Sequence, residues 1–363
     1  MPARPRPPEE AGFSGSYAPG DVTFLLKPVE LRATAIAEKE RLIQSGQRHY
    51  SEMIAPETPP GRAYMALYER ALERNGARLA GHIGGLAGAL AERSGGRPVV
   101  LVSLARAGTP VGVLLRRALE RLGVEAPHYS VSIIRDRGID LAALAHIAAR
   151  HDPADSVFVD GWTGKGAIAG EVRRSLSDAP SGFRPFLAVV ADPAGRADLA
   201  ATSEDYLVPS GLLNAVVSGL VSRSILNSAL VRPGDFHACV HYPEFAAHDV
   251  SRAFVDSVDA LVPAQPPPLA PPTPGAAERC DRAVAELVDL YGVTDRNRIK
   301  PGIAEATRAV LRRVPERLLL RDPDDADVRH LVHLAGEKDV EVGLLPPDFP
   351  FRAVSLIRNL RSE

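Results

Sequence analysis

The run Val157 to Ile168, V-F-V-D-G-W-T-G-K-G-A-I, constrains this chain more than any other stretch. Val157, Phe158 and Val159 make a short apolar run of the kind buried in a parallel sheet. Asp160 closes it. Gly161 and Trp162 follow, and Thr163-Gly164-Lys165-Gly166 then turns into the amphipathic start of a helix at Ala167. Backbone N–H groups at a helix N-terminus, with the helix dipole behind them, suit a phosphate. Glycines let the backbone approach an anion closely, and the Thr hydroxyl adds a donor. A P-loop is excluded by spacing, because Gly161 and Gly164 are too close and Gly166 stands where a Ser or Thr should follow Lys165. A strand-to-helix turn that uses glycine for geometry alone stays open as the plainer reading.

The chain around this run alternates strands with helices. Pro98 to Leu104 predicts a strand, followed by the loop Ala105-Arg106-Ala107-Gly108 and a helix with Thr109 as N-cap and Pro110 at its first position. A second strand is expected around Tyr129 to Ile134, then the charged loop Arg135-Asp136-Arg137-Gly138 and a helix over 139–150. A strand over 186–190 runs into Asp192 to Gly195, and a fifth apolar segment surrounds Tyr206 to Val208. This rhythm predicts a doubly wound parallel sheet, with ligands beyond the C-terminal strand ends.

Residues 1–12 carry four prolines and read as a disordered tail. Residues 13–96 read as a helical N-terminal extension, with a charged helix over 29–47 and one long or two shorter helices over 62–93. Glycines 81, 84, 85 and 88 predict close packing of that second segment against a neighbour. Pro209 to Asn227 reads as a buried loop and helix beside a pocket, or as a plain core helix. The core is expected over 97–262. Seven prolines within 263–274 predict a stiff, extended linker, placed at 263–275. Residues 276–363 predict a small α/β domain: helices over 276–291, 303–313, 326–337 and 352–360, strands over 318–320 and 340–345.

Several function classes are excluded or weakened. A net charge of −2 gives no whole-protein attraction to nucleic acid or membrane. No apolar run approaches the ~18 residues that span a bilayer, and the N-terminal residues lack the apolar core of a secretory signal. Cys239 and Cys280 alone build neither a disulfide framework nor a cysteine zinc site, so a reducing cytoplasm is expected.

Apolar strand, acid, two residues and T-G-x-G resembles the loop that binds phosphoribosyl pyrophosphate in type I phosphoribosyltransferases. The resemblance implies a parallel-sheet type I phosphoribosyltransferase core in which Asp160, with Gly161, holds the ribose and Thr163, Gly164, Lys165 and Gly166 wrap the 5′-phosphate. It implies that the loop Ser103, Ala105, Arg106, Ala107 and Gly108 takes the pyrophosphate, with Asp160 and Arg106 as the catalytic pair. Mg²⁺ would be held near Asp160 through ribose and pyrophosphate. Arg135 and Arg137 would belong to a closing hood loop, although a surface charge run explains them as well. Asp192, Ser210 and Asn214 would face the acceptor, a nucleobase-like small molecule. Many members have two adjacent acids where this chain has Asp160 alone; the uracil enzymes also manage with one.

The wider pattern is G-S-Y at Gly15, S-L-A-R-A-G-T-P at Ser103, D-G-W-T-G-K-G at Asp160 and S-G-L-V-S-R at Ser218. Over roughly residues 13–260 it closely resembles the phosphoribosyltransferase-like protein of tellurite-resistance and stress operons, whose members are sometimes labelled a cysteine protease. A-D-V-R-H-L-V-H-L-A-G-E-K-D-V-E-V, from Ala326, resembles the RNA-binding domain of pelota and related ribosomal proteins. RNA is therefore a further expected partner, through Arg296, Arg298, Lys300, Arg308, Arg312, Arg313, Arg317 and Arg321 if these share a face. No membrane partner is expected, and a homodimer is left open. Two rivals remain: a non-catalytic sugar-phosphate or nucleotide sensor, and a protease using Cys239, which lies between His237 and His241. On a strand those three residues alternate onto one face ~6–7 Å apart per step, too far for a nucleophile–base pair.

Overall fold

The computed structural model describes residues 12–177 and 182–360; all but one residue of the tail expected over 1–12 lies outside them. The central sheet has six strands: β1 (Thr23–Leu25), β2 (Val100–Leu104), β3 (His128–Val131), β4 (Ser156–Trp162), β5 (Leu187–Ala191) and β6 (Leu199–Thr202). Their order is β1-β3-β2-β4-β5-β6, and every neighbouring pair is parallel. The chain moves from β2 to β3 on one side and then crosses to β4 on the other. The switch point therefore lies between β2 and β4, and their C-terminal loops flank the crevice where such sheets bind ligands.

Strands β2, β4 and β5 are buried along their whole length, which explains their unbroken apolar runs. Leu101, Val157 and Val159 point into one apolar layer with α2 (Arg62–Ser94) and α3 (Gly108–Arg121). Val100, Val102 and Phe158 point into the other with α4 (Leu141–Ala148) and α5 (Ala167–Ser175).

The segment 13–96 is not purely helical. It supplies edge strand β1, then α1 (Ile36–Gln44), which is shorter than the charged stretch predicts, and the single helix α2. The glycine signal in α2 has a physical reason. A Cβ at Gly84, Gly85 or Gly88 would meet Pro263, Leu269 or Pro266 respectively, so the proline-rich segment lies along this helix. Gly81 has nothing within 4 Å. The fifth core segment is β6; Tyr206 to Val208 is buried chain outside any strand. Residues 209–227 contain only two short 3-10 turns, Pro209–Leu212 and Ala215–Val217.

The C-terminal unit comprises α7 (Ala276–Leu290), β7 (Ile299–Pro301), α8 (Ile303–Arg312), β8 (Pro315–Leu320), α9 (Arg329–Glu337), β9 (Glu341–Leu344) and β10 (Ala353–Ile357), preceded in the fold by α6 (Ser251–Asp259). The sheet order is β7-β10-β8-β9. The helix expected over 352–360 is instead strand β10, antiparallel to both neighbours and buried at all of its residues. A short, fully apolar run carries no periodicity that separates a buried strand from a buried helix.

This unit is packed onto the core. Ile303, Ala306 and Val310 of α8 and Leu331 of α9 share the main apolar cluster with Leu79, Ile83 and Val159. Asp205, from the core, accepts from the amides of Ile303 (3.0 Å) and Arg352 (2.7 Å), satisfying an orphan donor at the start of α8. Asn75 of α2 donates to Asp327 (2.9 Å), and Arg313 pairs with the buried Glu40.

The start of α3 touches β4 through backbone. A Cβ on Gly108 would lie 2.2 Å from the Val159 carbonyl oxygen and 3.2 Å from the Asp160 Cα. Gly108→Ala is expected to lower stability by about 1–3 kcal/mol, because neither backbone can step aside. Gly81→Ala, in open space on α2, is expected to raise it by roughly 0.5–1 kcal/mol. Denaturant midpoints of the two variants check the contrast.

Candidate functional site

Strand β4 carries Asp160 to the crevice as a residue only 9% exposed. Its carboxylate accepts from the Gly161 amide (2.8 Å), and burial, only partly offset by Arg308, pushes its pKa up to about 7. Beyond Trp162 the chain turns through Thr163–Gly166 into α5, with Gly166 at φ +88° as the residue before the helix. The Thr163 hydroxyl donates to Asp192, and that carboxylate also accepts from the amides of Arg196 (2.9 Å) and Ala197 (2.8 Å). Asp192 thus braces the loop.

The C-terminal unit covers this loop. Glu305 accepts from the Trp162 indole (3.2 Å) and pairs with Arg308 (3.1 Å), while the Arg308 guanidinium lies 4.6 Å from the Trp162 ring centre. A Cβ on Gly164 would come within 3.0 Å of Glu305. Lys165 donates to the carbonyls of Arg296 and Ile299. Between loop and cover lies a cavity of about 280 Å³. A second, of about 530 Å³, adjoins it and shares Lys39, Arg223 and Arg312 among its walls.

Electrostatics set the chemistry of the first cavity. Its walls carry eight basic side chains, Lys39, Arg135, Lys165, Arg223, Lys300, Arg308, Arg312 and Arg313, against two acids, Asp160 and Glu305. Burial, and then Arg223, Arg313 and Arg312, push Lys39 down to about 6. Burial and neighbouring cations likewise bring Lys300 to about 7 and Lys165 to about 8. Burial, followed by Arg106, lowers Arg312 well below its ordinary value. Crowded basic groups that depress one another, with few acids beside them, are a setting in which an anion would be stabilised.

This donor set does not make a resident site for Mg²⁺. One protonatable carboxylate and one ion-paired glutamate face a ring of cations, and no group of three ligating side chains occurs among the described residues.

The family model described as tellurite-like stress resistance cysteine protease StiP matches residues 15–259. A protein named cysteine protease StiP, from Acinetobacter baylyi, is 44% identical over 365 residues, covering 96% of this chain and 95% of that one. The chain belongs to the StiP family. In this StiP-family chain, residues 278–359 match the PELOTA RNA binding domain. Among solved structures, the hypoxanthine phosphoribosyltransferase of Trypanosoma cruzi covers 36% of this chain and 80% of its own length at 15% identity and TM-score 0.29. The same enzyme with its product IMP covers 34% and 70%, at 16% identity and TM-score 0.28.

The StiP-family chain brings only some of the sequence-predicted residues together. Asp160, Thr163, Gly164, Lys165 and Gly166 line the cavity, joined by Arg135. Gly161 follows Asp160 inside β4, where an added Cβ would lie 3.6 Å from the Ala107 carbonyl oxygen. Arg137 instead points to Glu52 (3.3 Å). Arg106 is closed off: it pairs with Glu57 through two bonds (2.7 and 3.1 Å) and donates to the Val221 carbonyl (2.7 Å). The Ala105–Arg106 peptide is cis. Ser103 lies beneath the loop, bonded to His128 (2.7 Å) and the Gly108 carbonyl (3.1 Å). Ser210 and Asn214 share a small hollow with Arg106 and Ala107; Asp192, bracing the loop after β4, is not beside them.

The basic residues expected to present one RNA-binding face are divided. Lys300, Arg308, Arg312 and Arg313 turn into the cavity. Arg298 pairs with Glu316 and Arg317 with Glu341, while Arg321 donates to the Phe349 carbonyl. Lys39 and Glu305 had no sequence signal beyond ordinary helix charge. Arg223 lay in S-G-L-V-S-R, but nothing local pointed it at Asp160.

Lys39 titrates in the folded protein near 6 and in the unfolded chain near 10.5. The folded state therefore binds fewer protons between those values, and stability of the ligand-free protein rises with pH across that window. Lys165 and Lys300 act in the same direction. Lys39→Met is expected to flatten the rise and to raise the melting temperature at pH 7. Melting curves from pH 6 to 10 check this; an unchanged slope with a lower melting temperature contradicts it.

Proposed function

We propose that this protein is a phosphoribosyltransferase-like enzyme that moves a phosphoribosyl group from phosphoribosyl pyrophosphate to a nucleobase-like acceptor in a stress response. One observation carries the reading: a half-open, strongly basic cavity stands where β4 ends and α5 begins, with the buried Asp160 at its edge. The 5′-phosphate would lie against the Thr163–Gly166 loop and the first turn of α5. Asp160 would bind the ribose hydroxyls, accepting from them when ionised. The anomeric C–O bond to pyrophosphate breaks as the bond to the acceptor nitrogen forms, and the nitrogen's proton passes to the departing pyrophosphate. Negative charge then builds on the leaving pyrophosphate, where cavity cations stabilise it. The cover formed by α8 keeps water from intercepting the sugar. Magnesium, in this reading, travels with the substrate's pyrophosphate rather than with the protein.

The name of the Acinetobacter relative suggests a thiol protease instead. The geometry lends it no support. Cys239 is fully buried and burial alone pushes its thiol up to about 12; Cys280 is also buried, with its thiol raised. A thiol nucleophile needs the opposite shift and access to substrate. His237 is bonded to Ser132 (2.7 Å).

A sensor without turnover is the second reading, favoured by the wall that the PELOTA-matched unit contributes to the cavity. Ligand and RNA would then compete for Arg308, Arg312 and Arg313. Helices of the described residues include none long and apolar enough to cross a membrane.

Pyrophosphate release from phosphoribosyl pyrophosphate and Mg²⁺ across a panel of nucleobases tests the proposal. Release with at least one base, reduced about 100-fold or more by Asp160→Asn and unchanged by Cys239→Ala, is expected. Binding without release identifies the sensor. Loss of all activity in Cys239→Ala, with folding intact, revives the protease.

A further inference from the structure

Three of the cavity's cations come from separate parts of the chain: Lys39 from α1, Arg223 from the segment after the 3-10 turns, and Arg312 from α8. All three line both cavities. We propose that Lys39, Arg223 and Arg312 form a subsite for the second anionic group of the ligand, the pyrophosphate of a pyrophosphorylated sugar, in place of the loop that carries Arg106. This rests on the reading of the preceding section, in which the Thr163–Gly166 loop takes the first phosphate.

The charges of Glu40 and Glu57 reach the cluster, but neither is ion-paired to it. Among the described residues no carboxylate lies within ion-pair distance of Lys39, Arg223 or Arg312, and the two nearest glutamates are already engaged, Glu40 by Arg313 and Glu57 by Arg106. Donors are left over as well. Lys39 is 5% exposed. Arg223 gives its Nη2 to the carbonyls of Tyr50 and Met53, yet its Nη1 is buried without a partner. Arg312 gives Nη2 to Asn214, while its Nε is buried and unmatched. Removing one partner of a buried charge normally destabilises a fold strongly. Burial and mutual repulsion disfavour the charged form of these basic groups, and an anionic ligand would favour it again.

Arg106 shares a small hollow with Arg312 but lines neither of the two cavities that Lys39, Arg223 and Arg312 share. Both terminal nitrogens of Arg106 are bonded to Glu57 and Val221 takes a further bond, so its terminal fork is occupied and only the buried Nε is left without a partner. The Lys39 cluster lines the same 280 Å³ cavity as Thr163–Gly166. A ligand that satisfies both ends must carry anionic groups at both ends, as phosphoribosyl pyrophosphate does and ribose 5-phosphate does not. Guanidinium forks and an ammonium point charge suit the clustered oxygens of a pyrophosphate. Because Arg312 belongs to α8, this subsite is complete only with the C-terminal unit docked.

Calorimetry on the full chain with phosphoribosyl pyrophosphate, inorganic pyrophosphate and ribose 5-phosphate tests the assignment. Lys39→Met and Arg312→Gln should each weaken the two pyrophosphate-bearing probes by about 10-fold or more and leave ribose 5-phosphate unchanged. Lys39→Arg and Arg312→Lys, which keep the charge, should recover part of the loss and guard against a folding defect. If Lys39→Met and Arg312→Gln retain wild-type pyrophosphate affinity while Arg106→Gln loses it, the subsite assignment is wrong and the proposed function stands. If the wild type binds none of the three probes, the proposed function itself fails and takes the subsite with it.

Discussion

Like charges held close together behind a closed cover repel one another, and most of the contacts between the two units of this protein act against that repulsion. Lys39, Arg223, Lys300, Arg308, Arg312 and Arg313 face a single cavity. The cover stays in place because α8 and α9 share an apolar layer with α2, because Asp205 receives the start of α8, and because Asn75 and Glu40 grip Asp327 and Arg313. Apolar burial and satisfied backbone donors supply the closure, and the charges supply the chemistry.

This arrangement changes what the C-terminal unit does in the molecule. Residues 278–359 match an RNA-binding domain, and a phosphate-binding face would need its basic residues outward. Half of them instead form one wall of the crevice at the sheet's switch point, opposite the loop after β4. The proline-rich segment lies along α2, against glycines 84, 85 and 88, on its way to that position. The candidate site is therefore composite: the core gives the Thr163–Gly166 loop, Asp160 and the basic residues Arg135, Lys165 and Arg223, the N-terminal segment gives Lys39, and the C-terminal unit gives Lys300, Arg308, Arg312, Arg313 and the cover.

Sequence reading succeeded where the determining contacts are local. Val157 to Ile168 announced a strand, an acid and a helix start because glycine spacing and apolar runs act over a few residues, and the parallel sheet followed from repetition of that unit. The reading failed where neighbours decide. Ala353–Ile357 is apolar throughout, so only its place between β7 and β8 makes it a strand. Arg106 stands in the expected loop, but Glu57, remote in sequence, closes it. Lys39 looks like any solvated helix lysine until α1 is laid beside Arg223 and Arg312. The glycines of α2 signalled a close neighbour without naming it, since a missing side chain records the space but not its occupant.

The central claim is that this crevice receives a ligand with anionic groups at both ends. A crystal structure of the full chain with phosphoribosyl pyrophosphate and Mg²⁺ tests it most directly. The account predicts the 5′-phosphate on the amides of Thr163 to Gly166 and the pyrophosphate against Lys39, Arg223 and Arg312, inside the cavity beneath α8. Phosphates bound only on the outer surface of the C-terminal unit, with the cavity unchanged, would contradict it.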